Sequence, residues 1–139
     1  MEQGYVKLQE NMSTKEDDTR KFLMEFKARA SQKGGLYIVP RDVNIVTMAQ
    51  PGLTDATLRT ELLSLSVEDY YQGPELDEDA SKNGKEVWMF GKVINGCEVY
   101  LKLKNFDVGP HKRAKCLSIH PADFPIYYRT CLALKQEIA

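Results

Sequence analysis

Only two of the 139 residues are histidines, His111 and His120, so chemistry that needs a side chain exchanging protons near neutral pH has two candidates. No run of about 18 apolar residues occurs, and the polar start MEQGYVKLQENMSTKEDDTR lacks the apolar centre of a signal peptide. A soluble chain with no membrane partner is expected. The three cysteines, Cys97, Cys116 and Cys131, form no CxxC pair and stand among apolar neighbours, which argues against a zinc site and for reduced, buried thiols in a cytoplasmic protein. Glycine-rich phosphate loops, a nucleophile elbow and a triad signature are all missing. Glu75, Asp77, Glu78 and Asp79 offer carboxylates at no recognised ligand spacing and far in sequence from either histidine, so neither metal nor cofactor is expected.

What is present is one domain's worth of core: 42% of the residues are apolar, and a chain of this length buries roughly two thirds of its unfolded surface. A net charge of −1 argues against indiscriminate coating of nucleic acid, but it hides an asymmetry. Residues 1–81 hold 9 Lys/Arg against 15 Asp/Glu, whereas residues 82–120 hold 8 against 3. A positive field confined to the second region can attract phosphate without making the whole molecule basic.

Residues 1–16 are charged and aperiodic and read as a mobile tail, leaving 17–139 as a single domain with a C-terminal extension from about residue 127. Phe22, Leu23, Phe26 and Ala30 recur at helical spacing between Thr19 and Lys33, and Gly34-Gly35 is a stop. LYIVP (36–40) reads as a short strand, and residues 42–50 and 54–65 read as two helices, the second with Thr54 as N-cap. The acidic, turn-rich stretch 66–85 reads as a surface loop. Beyond it helical periodicity gives way to alternation. In the extension, Tyr127, Cys131, Leu134 and Ile138 fall near helical spacing and suggest a helix for self-association.

Asn95-Gly96 is the strongest hairpin signal in the chain, and a two-residue turn there fixes the strand register. Phe90 then meets Leu101, Trp88 meets Leu103 and Lys92 meets Val99, so an apolar row faces the core. The opposite face carries Val87, Met89, Gly91 and Val93 on one strand and Glu98, Tyr100, Lys102 and Lys104 on the other. In RAKCLSIH (113–120) alternation separates Arg113, Lys115, Leu117 and Ile119 from Ala114, Cys116, Ser118 and His120. With Leu117 and Ile119 in the core, and this strand beside the hairpin, Ser118 and His120 join Tyr100 and Lys102 on one surface.

The strings LSLSVEDYYQGPELD, VW, GCEVYLKLK and CLSIHPADFP, with GGLYIVPRDVN upstream, resemble the MqsR family of toxins from bacterial toxin–antitoxin systems over about residues 19–126. The resemblance implies an α+β fold of RelE-like type, a small antiparallel sheet packed against helices. It also implies a metal-independent endoribonuclease acting on mRNA, free or on the ribosome, and neutralised by a cognate protein antitoxin. By position, the family's tyrosine falls on Tyr100, its following lysine on Lys102, and the basic residue of its final strand on His120. Gln72 stands where the family has a lysine, and Met89 where it has a glutamine.

RNA is cleaved without metal when its own 2′-hydroxyl attacks the adjacent phosphate, which requires a base, an acid and positive charge for the transition state. His120 is the expected general acid, because an unperturbed imidazole titrates near about 6.5 and a positioned acid or base contributes roughly 10² to 10⁴ in rate. Lys102 would stabilise the phosphate, assisted by Arg113 or Lys104. Tyr100 could orient the 2′-hydroxyl, stack on a base or act as the base. His111, in the turn-rich GPHKR, is not expected to take part. The Gln72 and Met89 departures keep a second reading open, a catalytically degenerate module that binds single-stranded RNA or a protein on the same sheet.

Overall fold

The computed structural model describes residues 2–76 and 86–122. Among them are helices α1 (Glu2–Ala30), α2 (Asp42–Ala49) and α3 (Asp55–Leu63) and strands β1 (Leu36–Ile38), β2 (Tyr70–Leu76), β3 (Glu86–Ile94), β4 (Cys97–Val108) and β5 (His111–Pro121). The strands form one sheet in the order β1-β5-β4-β3-β2, with β1 parallel to β5 and the other neighbours antiparallel. This is the expected α+β class, with N-terminal helices packed on a mostly antiparallel sheet. No helix among the described residues is long and apolar enough to cross a membrane.

The first helix docks through the positions its spacing marks. Leu23, Phe26 and Ala30 are buried, and Phe22 stacks on Trp88 with ring centroids 5.0 Å apart. Its start departs from expectation, because the segment read as a tail is helical from Glu2. Glu, Gln, Lys, Leu and Met are good helix formers whether or not they make an apolar stripe, and Arg20 ties back to Glu16 and Asp17 at 3.3 and 3.1 Å. The helix ends at Ala30, and the chain turns back beneath it through Gly35, where a Cβ would lie 1.8 Å from the Arg29 carbonyl oxygen. At α3, the Thr54 hydroxyl accepts from the Thr57 N–H at 3.2 Å, and the Thr57 hydroxyl accepts from the Thr54 N–H at 2.7 Å, which makes the expected cap reciprocal.

The β3–β4 hairpin has the register the turn dictates, pairing Trp88 with Leu103, Phe90 with Leu101 and Lys92 with Val99. Asn95 and Gly96 both have positive φ, at 49° and 82°, which suits the strand twist. Trp88, Phe90, Leu101 and Leu103 are buried against α1 and α3, and Lys92, at the end of that row, meets Glu61 of α3 at 2.7 Å.

Two expectations about the strands are corrected. The stretch taken as one loop from 66 to 85 contains β2, an antiparallel edge partner of β3. Gly73-Pro74 reads as a turn, but an edge strand with register shifts on both sides of Gln72 accommodates a residue that cannot donate to the ladder. In β5, a register shift opposite Lys102–Leu103 interrupts the alternation. Ala114 and Cys116 therefore face the core together with Ile119, while Leu117 sits half-buried at the irregularity. Asp77, Glu78 and Asp79, and the extension from residue 127 with its proposed self-association helix, lie outside the described residues.

Candidate functional site

The sheet face turned away from α1 gathers the chemistry-bearing side chains in rows set by strand register. Tyr100 on β4 pairs with His120 on β5 and with Gly91 on β3. Two residues along, Lys102 pairs with Ser118 and Met89, and Met89 pairs with Gln72 on β2. The expected union of Tyr100, Lys102 and His120 on one face is therefore present, and it survives the β5 irregularity because the shift begins only beyond Lys102.

The first row is a ladder of rings. His120 and Tyr100 have centroids 5.1 Å apart, and Tyr100 and Tyr71 lie 5.3 Å apart in an edge-to-face arrangement. Gly91 lies opposite Tyr100 and brings no side chain to that row, so the ring from β2 reaches the ring from β4 across it. The Nδ1 of His120 lies 3.3 Å from the Pro121 carbonyl oxygen. A carbonyl only accepts, so this contact is a hydrogen bond when Nδ1 carries the proton, and Nε2 makes no hydrogen bond among the described residues.

The second row carries the charge. Lys102 is half-buried and makes no hydrogen bond or ion pair among the described residues. Beyond Ser118, the guanidinium of Arg41 donates to the Ser118 hydroxyl at 3.5 Å. Met89 is half-buried between Lys102 and Gln72, and the Gln72 amide donates to the Glu75 carboxylate.

Two expected helpers stand elsewhere. Lys104 is flanked by Val87 and Lys115 in the next outward row; it is 5% exposed, engaged within the chain, and Val87 beside it is buried as well. That end of the face is closed rather than presented to solvent. Arg113 is seven residues from His120 along β5, roughly 23 Å at the strand rise, and donates to the Gly34 carbonyl at 2.6 Å, in the turn between α1 and β1. His111 is farther still, exposed at the β4–β5 turn. Among the described residues, no group of three or more His, Cys, Asp and Glu could hold a metal ion.

Three residues of the site escaped the sequence reading. Tyr71 was hidden by the loop assignment, although the pair Tyr70-Tyr71 is a strand signal, and burying Tyr70 turns Tyr71 outward. Arg41 had a weaker signal: it occupies the N-cap of α2, where Ser, Thr, Asn or Asp is preferred, and gives no capping bond. Asn44 had none. It is 1% exposed; its amide donates to the carbonyls of Val39 and Leu117 at 2.7 and 3.2 Å, and its Oδ1 accepts from the Ile119 N–H at 3.0 Å. This one side chain fixes the start of α2, with Arg41, against the segment of β5 that carries Ser118 and His120. No family model, curated protein or solved structure matches this chain.

Proposed function

We propose that this protein is a metal-independent endoribonuclease on a RelE-like version of the α+β fold, the toxin of a toxin–antitoxin pair, as the resemblance to the MqsR family implies. The observation that carries the reading is the Tyr71–Tyr100–His120 ring ladder with Lys102 one row away. Aromatic rings on an open sheet face are platforms for unpaired bases, and a nearby cation holds the phosphate between them.

The chemistry follows from these positions. The substrate supplies its own nucleophile, the 2′-hydroxyl. As its proton passes to a solvent water acting as base, the P–O2′ bond forms and the P–O5′ bond breaks. Nε2 of a protonated His120 gives its proton to the departing 5′-oxygen, so the products are a 2′,3′-cyclic phosphate and a 5′-hydroxyl. Lys102 offsets the charge that develops on the phosphoryl oxygens. Tyr100, in ring contact with His120, holds the nucleotide against the imidazole.

Purified protein incubated with single-stranded RNA in EDTA should produce 2′,3′-cyclic phosphate ends. His120→Ala should lower the rate by about 10² to 10⁴ while leaving the thermal midpoint in place. Intact RNA at micromolar enzyme, together with no growth arrest on expression, sinks the reading. Salt-dependent RNA binding without scission selects the degenerate binding module instead, which the Gln72–Glu75 contact and the apolar Met89 beside Lys102 favour. The same reading gives the chain a protein antitoxin as partner, expected to co-purify when expressed from the adjacent coding sequence.

A further inference from the structure

The described arginines are almost all occupied. Arg20 pairs with Glu16 and Asp17, and Arg29 with Glu25 and Asp107. Arg59 donates to the carbonyls of Ala30 and Ser31, and Arg113 to those of Gly34 and Lys33. Arg41 is the exception: among the described residues its side chain meets only the Ser118 hydroxyl, at 3.5 Å, which leaves most of its five N–H donors unused on an exposed residue.

Its position is also unfavourable for the helix it begins. An arginine at an N-cap satisfies none of the orphan N–H groups and brings a cation to the positive end of the helix dipole. Such a local conflict in an otherwise consistent element marks a place where something other than stability is served. Meanwhile the chain holds this residue firmly. The Arg41 N–H donates to the Val39 carbonyl at 2.9 Å, the Val39 N–H donates to the Cys116 carbonyl at 3.1 Å, and Asn44 ties the same turn to Leu117 and Ile119.

The result is two cations on either side of one hydroxyl. Lys102 pairs across the strand with Ser118, and Arg41 reaches Ser118 from the other side. Both are without a carboxylate partner among the described residues. The hydroxyl lies two residues from His120, roughly 6.6 Å along the strand.

We propose that Arg41 and Ser118 form a second phosphate site on the outer sheet face, with Lys102 standing between it and the phosphate at His120; the site takes the next backbone phosphate and so sets the direction in which a single RNA strand crosses the sheet. Arg41 is a positioning residue in this arrangement, and the proposal rests on the ribonuclease reading. A guanidinium fork matches phosphate oxygens bidentately, whereas an ammonium acts as a point charge, so Arg41 supplies the geometry and Lys102 the field.

The test is anisotropy titration of a labelled 2′-deoxy RNA analogue, which cannot be cleaved, over a range of salt. The proteins are wild type, Arg41→Ala, Arg41→Lys and Lys112→Ala, the last changing a lysine on the distant β4–β5 turn. Arg41→Ala should weaken binding about tenfold and reduce the salt slope by about 0.7. Arg41→Lys should keep the slope and recover only part of the affinity, and Lys112→Ala should match wild type. In cleavage assays Arg41→Ala should raise KM far more than it lowers kcat. Arg41→Ala binding within twofold of wild type with an unchanged slope overturns the second site while the ribonuclease reading stands. Arg41-dependent binding with no scission supports the site and removes the catalytic assignment. Absence of RNA binding by wild type overturns both, and capture of an acidic peptide at Arg41 in its place assigns the face to a protein.

Discussion

Cys116 faces the core from β5 opposite Leu103, fully buried, and burial pushes its thiol up from 9.0 to about 12. In the unfolded chain the same thiol ionises near its ordinary value, so above that pH only unfolding allows it to lose its proton. The contribution is intact below about pH 9 and is lost as pH rises towards about 12, at up to about 1.4 kcal/mol per pH unit. Urea midpoints measured from about pH 8 to about pH 10.5 should therefore fall more steeply for wild type than for Cys116→Ala; equal slopes would mean that the thiolate is tolerated in the fold. Cys116 should also resist alkylation until the protein unfolds. The sequence pattern pointed to buried thiols for all three cysteines, and Cys116 fits. Cys97, which opens β4 immediately after the turn, is only partly buried, packed against the edge of the core.

At the scale of elements, what sequence could reveal depended on whether the determinant was local. The hairpin register was legible because Asn95-Gly96 and the alternation on either side contain all the information, and the same logic brought Tyr100 and Lys102 to one face. The irregularity in β5 was not legible, because it is held from outside the strand. Asn44 on α2 satisfies the Leu117 carbonyl and the Ile119 N–H, groups that an uninterrupted ladder would pair otherwise. Asn44→Ala would leave the Val39 and Leu117 carbonyls and the Ile119 N–H without that partner in a buried site. The expected cost is about 1–3 kcal/mol by denaturant titration. Under the proposed ribonuclease reading, Asn44→Ala should also raise the KM for RNA, because Arg41 loses its fixed position relative to Ser118. A stability change under about 0.5 kcal/mol, the ordinary range for surface substitutions, would show that β5 holds its irregularity without α2. Tyr71 was missed for a related reason: a strand containing Gly and Pro is tolerated only because β2 lies at the edge, and edge position is a property of the sheet, not of the segment.

For the whole molecule, the question is what keeps a helix from the N-terminal end locked to a sheet made largely from the C-terminal half. Apolar contact supplies much of the answer, with Leu23, Phe26 and Ala30 in the core beside Trp88 and Phe90. Arg29 supplies a directional part. Its side chain is 6% exposed, pairs with Glu25 at 2.8 Å within α1, and crosses to Asp107 at 3.0 Å. It also donates to the Phe106 and Arg113 carbonyls at 2.9 and 3.2 Å, so one guanidinium joins α1, β4 and β5. In the sequence Arg29 lies on the same helical stripe as Phe22 and Phe26, and only Glu25, one turn back, is a partner that local spacing could announce, because Asp107 and the two carbonyls come from the other end of the chain. Arg29→Ala should destabilise the protein by about 1–3 kcal/mol, because the Phe106 and Arg113 carbonyls lose a buried donor, whereas Asp107, whose side chain is 40% exposed, is rehydrated. That is a large fraction of the 5–15 kcal/mol typical of a domain. Arg29→Lys should recover little, since an ammonium cannot span the fork. Denaturant midpoints at neutral pH give the comparison. If Arg29→Ala lies within about 0.5 kcal/mol of wild type, the range of an ordinary surface change, the helix is held by its apolar face alone and the cross-links are incidental. Because Arg29 and the His120 row sit on opposite faces of the sheet, the proposed ribonuclease reading expects any loss of RNA cleavage in Arg29→Ala to follow the unfolded fraction and vanish when temperature is lowered enough to restore folding.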